Sequence, residues 1–155
     1  FDLYLVHASA GLVEDLRELA SADSRIMVKG AVPYDELIPL LNTYDVGLSV
    51  IHPNTFNLKH ALPNKIFDYV QARLGIITGP SPEMARLVMD HSLGLVLPDF
   101  SDAALTVALD GLEPEQVREW KANSDLAARA LSAEEQNAGW LEPVGRLTEW
   151  RGEFS

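Results

Sequence analysis

Lys59, His60, Asn64, Lys65 and Asp68 crowd into the stretch Asn57–Tyr69, NLKHALPNKIFDY. The basic members flank Pro63, a residue suited to the first turn of a helix. The whole segment Val46–Phe67 lacks a carboxylate, although the chain carries a net charge of -11. A basic island leading into a helix start is what an anionic ligand such as a diphosphate needs. The unspent amides and the helix dipole both present positive partial charge there. With a helix beginning near Pro63, the free amides belong to Asn64, Lys65 and Ile66, since proline has none to offer. Asp68 stands three residues after Lys65 and four after Asn64, so the three share one helix face. A carboxylate one turn inside such a helix cannot hold a phosphate. It can accept hydrogen bonds from vicinal hydroxyls, as on a ribose. The same spacing fits a solvated Lys65–Asp68 pair, worth about 0.2–0.5 kcal/mol, with His60 as an ordinary polar loop residue. Spacing alone leaves both readings open.

The elements that must position this stretch follow from periodicity. Phe1–His7 reads as a short apolar strand, and Leu12–Ala20 carries leucines at helical spacing. Arg25–Lys29 is a second strand, ending at Gly30. Pro33 opens a helix through about Thr43, with Leu37, Leu40 and Leu41 inward. Val46–Ile51 is a third strand. A long loop from His52 to Pro63 then precedes a helix over about Asn64–Ala72, which turns Ile66, Phe67 and Val70 toward the sheet. That loop exceeds the usual strand-to-helix connection of about 2–6 residues, and such excess is often functional. Gly75–Thr78 is a fourth strand, and Ser81-Pro82 is a cap and first turn for the next helix. Gly94–Leu97 is a fifth strand. Helices are expected over Asp102–Leu112, Pro114–Ala130 and Ser132–Phe154, the last interrupted at Pro143. Five strands alternating with helices, without hairpin turns, predict a parallel, doubly wound, Rossmann-like α/β sheet with flanking helices. Ligands of such sheets bind at the carboxyl ends of the strands.

Composition narrows the function. Hydrophobic residues at 47% and charged residues at 23% describe an ordinary globular domain with a sizeable core. The strongly acidic balance argues against nucleic acid and against docking on an anionic membrane. It does not exclude a nucleotide, because a pocket can be locally positive. Without cysteine there are no disulfides, thiolate metal sites or thiol nucleophiles. No His/Asp/Glu spacing suggests a metal cage. Walker and Gly-x-Gly-x-x-Gly loops are absent. The absence of cysteine is compatible with a cytoplasmic protein, and no signal peptide or membrane span is visible. The chain opens on a strand rather than on methionine, as expected of a piece of a longer polypeptide.

Three features together carry a resemblance. They are the Gly-x-Val-Pro turn at Gly30–Pro33, the Tyr-Asp-Val-Gly-Leu run entering the third strand, and the Pro-Asn-Lys-x-Phe-acid-Tyr helix at Pro63–Tyr69. In these, Leu3–Glu142 resembles the C-terminal, donor-binding half of GT-B-fold bacterial retaining glycosyltransferases. The resemblance implies a Rossmann-like nucleotide-sugar-binding domain over residues 1–130, lacking its first strand. Residues 131–155 would be C-terminal helices that pack back or cross to an N-terminal acceptor domain. It further implies a UDP- or GDP-sugar as donor substrate, no metal in this domain, and sugar transfer to an acceptor in polysaccharide or glycolipid synthesis. The family's two glutamates, separated by seven residues, fall on His60, a departure, and on Asp68, a shortened equivalent placed to meet the ribose. Leu62, Pro63 and Asn64 would offer backbone groups to the diphosphate. Ala31 and Val32 would hold the base. The family's first-strand arginine and lysine have no counterpart here, so the piece alone is expected to be inactive. Several such enzymes work at the inner face of the membrane, which leaves a peripheral location open.

Two other readings remain beside this one. A nucleotide-sugar epimerase shares the two-domain fold, with His60 as its suggestive residue. A non-catalytic nucleotide-binding or scaffolding domain would explain the histidine at position 60. Lesser features read as structural. Gly79-Pro80-Ser81-Pro82-Glu83 is a capped helix start, His7 closes a strand, and His52 and His91 are loop and helix-end residues. Asp45 is expected to cap or pair near a strand start. Trp140, Val144, Leu147, Trp150 and Phe154 form one apolar stripe. It would pack on its own domain, or face a partner domain and drive self-association.

Overall fold

The computed structural model describes residues 1–5, 8–138 and 143–144. His7 and most of the C-terminal stripe (Trp140, Leu147, Trp150, Phe154) therefore lie outside the described residues. The chain divides into two compact units, Phe1–Leu37 and Ile38–Ser155.

The first unit contains β1 (Asp2–Tyr4), α1 (Ala10–Ser21) and β2 (Met27–Lys29). The two strands pair in parallel, with Leu3 opposite Val28. Ser9 caps α1 by accepting a hydrogen bond from the Leu12 amide at 3.3 Å. None of this unit's described residues is buried. Helix α2 (Tyr34–Leu41) follows, with Asp35 and Glu36 in its first turn. It is two residues shorter at its end than its leucine spacing predicts.

The second unit holds the core. Its strands β3 (Val46–Ser49), β4 (Gly75–Thr78) and β5 (Gly94–Val96) form a parallel sheet in the order β3-β4-β5. Between them run the short α3 (Phe56–Lys59), α4 (Asn64–Gln71) and α5 (Pro82–Asp90). Helices α6 (Asp102–Asp110) and α7 (Pro114–Ala128) follow, and residues 133–138 are helical too, within the helix expected from Ser132. The five strands thus pair as two parallel sheets, β1-β2 and β3-β4-β5.

Alternation along the strands divides the apolar side chains between two faces, as the pleat requires. Ile76 joins Ile66 and Val70 of α4 and Met84 and Val88 of α5 on one face. Its neighbour Ile77 joins Leu97 and Trp120 on the other, with Val46, Leu48 and Leu105 packed against them. The sheet is therefore covered on both sides, as the uninterrupted apolar run in β4 requires. Gly47 is needed where it stands, because the Tyr69 ring of α4 lies on it. A Cβ there would come within 2.6 Å of the ring. The same tyrosine donates to the Leu48 carbonyl at 3.1 Å, fixing α4 to β3. Asp45, just before β3, pairs with Lys121 at 2.9 Å, as its position led one to expect.

Candidate functional site

Because α4 returns antiparallel to β3, its N-terminus lies at the carboxyl edge of the sheet, where open α/β folds bind ligands. Six of the eight predicted site residues, His60, Leu62, Pro63, Asn64, Lys65 and Asp68, belong to this one segment. Ala31 and Val32 stand on the connection after β2, in the first unit.

The helix start is built as the sequence suggests, with one correction. Pro63 is the N-cap, in extended conformation (φ -71°, ψ 146°), and its side chain supplies no capping hydrogen bond. The Ile66 amide is not free, because it donates to the Pro63 carbonyl at 3.0 Å. The tight first turn thus removes one of the three expected donors and leaves the Asn64 and Lys65 amides. No acidic residue occupies the first turn. Beneath it, Ile66 and Val70 are fully buried and Phe67 and Tyr69 pack beside them, so core contacts hold the turn in place.

Lys65 is the electrostatic centre. It is half-buried, and no ion pair to it occurs among the described residues. Burial pushes its pKa below the ordinary value of 10.5, because removing the ammonium from water disfavours the charged form. Asp68 is also partly buried, and its charge helps raise the Tyr69 pKa, after burial of that phenol.

The loop before α4 is more ordered than its sequence implies. Thr55 accepts a hydrogen bond from the Leu58 amide at 3.2 Å and caps the four-residue α3. His60 closes that turn through its amide, which donates to the Phe56 carbonyl at 3.2 Å. Its ring lies 4.7 Å from the exposed Phe56 ring. His52, a loop residue by its sequence, has its ring 5.2 Å from that of Phe100. At the next strand end, Ser81 takes the N-cap position of α5 as expected, but its side chain makes no capping bond. Its buried hydroxyl has no partner among the described residues. No group of three or more His, Asp or Glu side chains suited to a metal occurs among them either.

No protein-family model and no curated protein matches the chain. Among solved structures it is similar to WaaG, a glycosyltransferase involved in lipopolysaccharide biosynthesis. The TM-score is 0.62 at 17% identity, over 84% of this chain and 34% of that one. The fold is a GT-B Rossmann-like half. The chain spans about a third of the GT-B protein it matches. No helix among the described residues is long and apolar enough to cross a membrane.

Proposed function

We propose that this chain is the donor-binding, C-terminal half of a retaining GT-B glycosyltransferase. It would receive a nucleotide diphosphate sugar at the start of α4. The observation that carries this reading is Lys65, a half-buried cation without an ion-pair partner among the described residues, in a helix start free of carboxylates. A buried charge is costly unless compensated, and a diphosphate would compensate it. The Asn64 and Lys65 amides would add charge-assisted hydrogen bonds. Asp68, one turn on, would accept hydrogen bonds from the ribose hydroxyls. His60 would face the donor sugar, and Leu62 and Pro63 would shape the approach. During transfer, Lys65 and the helix start would stabilise charge building on the leaving diphosphate.

In this reading the acceptor, a growing polysaccharide or glycolipid, is held by an N-terminal domain of the same polypeptide. The whole enzyme works in the cytoplasm, peripherally at the inner membrane face, and this chain by itself does not turn over. Calorimetric titration with UDP and GDP tests the donor site. The expected result is saturable binding of one of them, weakened about 10- to 100-fold in Lys65→Ala and less in Asp68→Ala. Binding unchanged by both substitutions would refute the placement at α4.

A further inference from the structure

We propose that His52 is a second sugar-contacting residue of the donor site, held in position by Phe100. The inference rests on the reading of α4 as the donor-binding helix and extends it to the next strand ends.

The β3–α4 loop carries two histidines, and each lies against a phenylalanine ring. The supports differ. Phe56, beneath His60, is 77% exposed and belongs to the same short loop helix. Phe100 comes from the separate β5–α6 connection, and its ring packs on the strand end beside β4. Its ring covers Gly79, where a Cβ would come within 2.6 Å of Cδ1. Beside it, Asp99 Oδ1 accepts from the Ser101 amide at 2.8 Å, and Ser101 Oγ accepts from the Ala104 amide at 3.1 Å. The Leu97 amide, at the end of β5, donates to the Thr78 carbonyl at 2.8 Å.

The stack Gly79–Phe100–His52 therefore bridges the carboxyl ends of β4, β5 and β3. His52 tops it, tilted 35° to Phe100, and remains exposed. No hydrogen bond engages its ring nitrogens among the described residues. A neutral imidazole offers one donor and one acceptor, which suits a sugar hydroxyl, itself both donor and acceptor. A rigid backing lowers the entropy lost when such a contact forms. The start of α4 lies on the same sheet edge, so a hexose joined to a diphosphate there has His52 on that edge and His60 at the far end of the same loop.

Calorimetry of the chain with UDP, GDP, UDP-glucose, UDP-N-acetylglucosamine and GDP-mannose tests this. His52→Ala is expected to weaken the tightest nucleotide sugar about 5- to 10-fold, as loss of one hydrogen bond does. The parent nucleoside diphosphate should stay within about twofold. His52→Gln should restore part of the loss, and Phe100→Leu should weaken the sugar nucleotide in the same selective way. Equal losses for nucleotide and nucleotide sugar, or no loss for either, overturn the inference and leave the donor reading standing. Failure of the unaltered chain to bind any of the five removes both.

Discussion

Two helix starts at the same sheet edge, those of α4 and α5, share their architecture and differ in their charge. Each follows a parallel strand, each begins with a proline at or beside the cap, and neither receives a side-chain capping bond. Each rests on the same core, through Ile66 and Val70 in one case and Met84 and Val88 in the other. At α5 the first turn carries Glu83, paired with Arg86 at 2.6 Å, so its dipole is already answered within the helix. At α4 the first turn carries no acid, and Lys65 adds positive charge to the dipole instead of opposing it. The comparison teaches that backbone geometry alone does not mark a ligand site. In the proposed reading, the uncompensated charge at α4 does.

The largest effects should be common to both helices. Ile66→Ala and Met84→Ala each remove a fully buried side chain and are expected to cost about 2–5 kcal/mol. Urea denaturation followed by circular dichroism measures both. A large cost at one site and none at the other would break the premise that the two starts share one foundation. Next comes the difference itself. Lys65→Ala should reduce UDP or GDP affinity about 10- to 100-fold, the range for a hydrogen bond to a charged group. Lys65→Met should not lower the melting temperature at neutral pH. The sign follows from burial. The folded-state pKa lies below 10.5, so folding releases a proton in the alkaline range, and the charged lysine costs stability below its folded pKa. That cost fades as pH rises through the folded value, so any advantage of Lys65→Met should shrink there. An advantage that grows with alkalinity would contradict the placement of Lys65.

The contrast between the helices was partly legible beforehand. Helical spacing placed Ile66 and Val70 inward, because an amphipathic stripe is a local property. The carboxylate-free run through Phe67 can be read directly. The environment of Lys65 could not be, since an ion pair depends on which side chains tertiary packing brings near. The spent Ile66 amide depends on whether the first turn tightens, which composition does not specify. Helix α3 was missed because four residues hold no periodicity, and Thr55 was its one local signal. Division of the strands between two sheets is invisible for a similar reason, as pairing joins residues far apart in sequence. His52 reads as a plain loop residue because its support, Phe100, lies nearly fifty positions away.

Ser81 gives a sharper test of the α5 start. Its hydroxyl is buried, caps nothing and has no partner among the described residues. A buried polar group in that state carries a desolvation cost of about 1–3 kcal/mol. Ser81→Ala should therefore be neutral or stabilise by up to about 1 kcal/mol, whereas replacing a working serine cap usually destabilises by a similar amount. A clear loss in a denaturation curve would mean that the hydroxyl is engaged, and that α5 is capped after all.

The smallest effect should come from the exposed pair at α5. Arg86 is 70% exposed and Glu83 38%, so solvent screens their attraction. Such i,i+3 pairs contribute only a few tenths of a kcal/mol. Glu83→Gln removes a charge from the first turn of α5 and frees its dipole, making α5 resemble α4 in sign but without a buried lysine. Stability should change by less than about 0.5 kcal/mol, and nucleoside diphosphate affinity should stay within about twofold. Suppose instead that Glu83→Gln raised nucleotide affinity as strongly as Lys65→Ala lowered it. Then the anion would be shared between the two helix starts, and the diphosphate would have to be placed between α4 and α5 rather than on α4 alone.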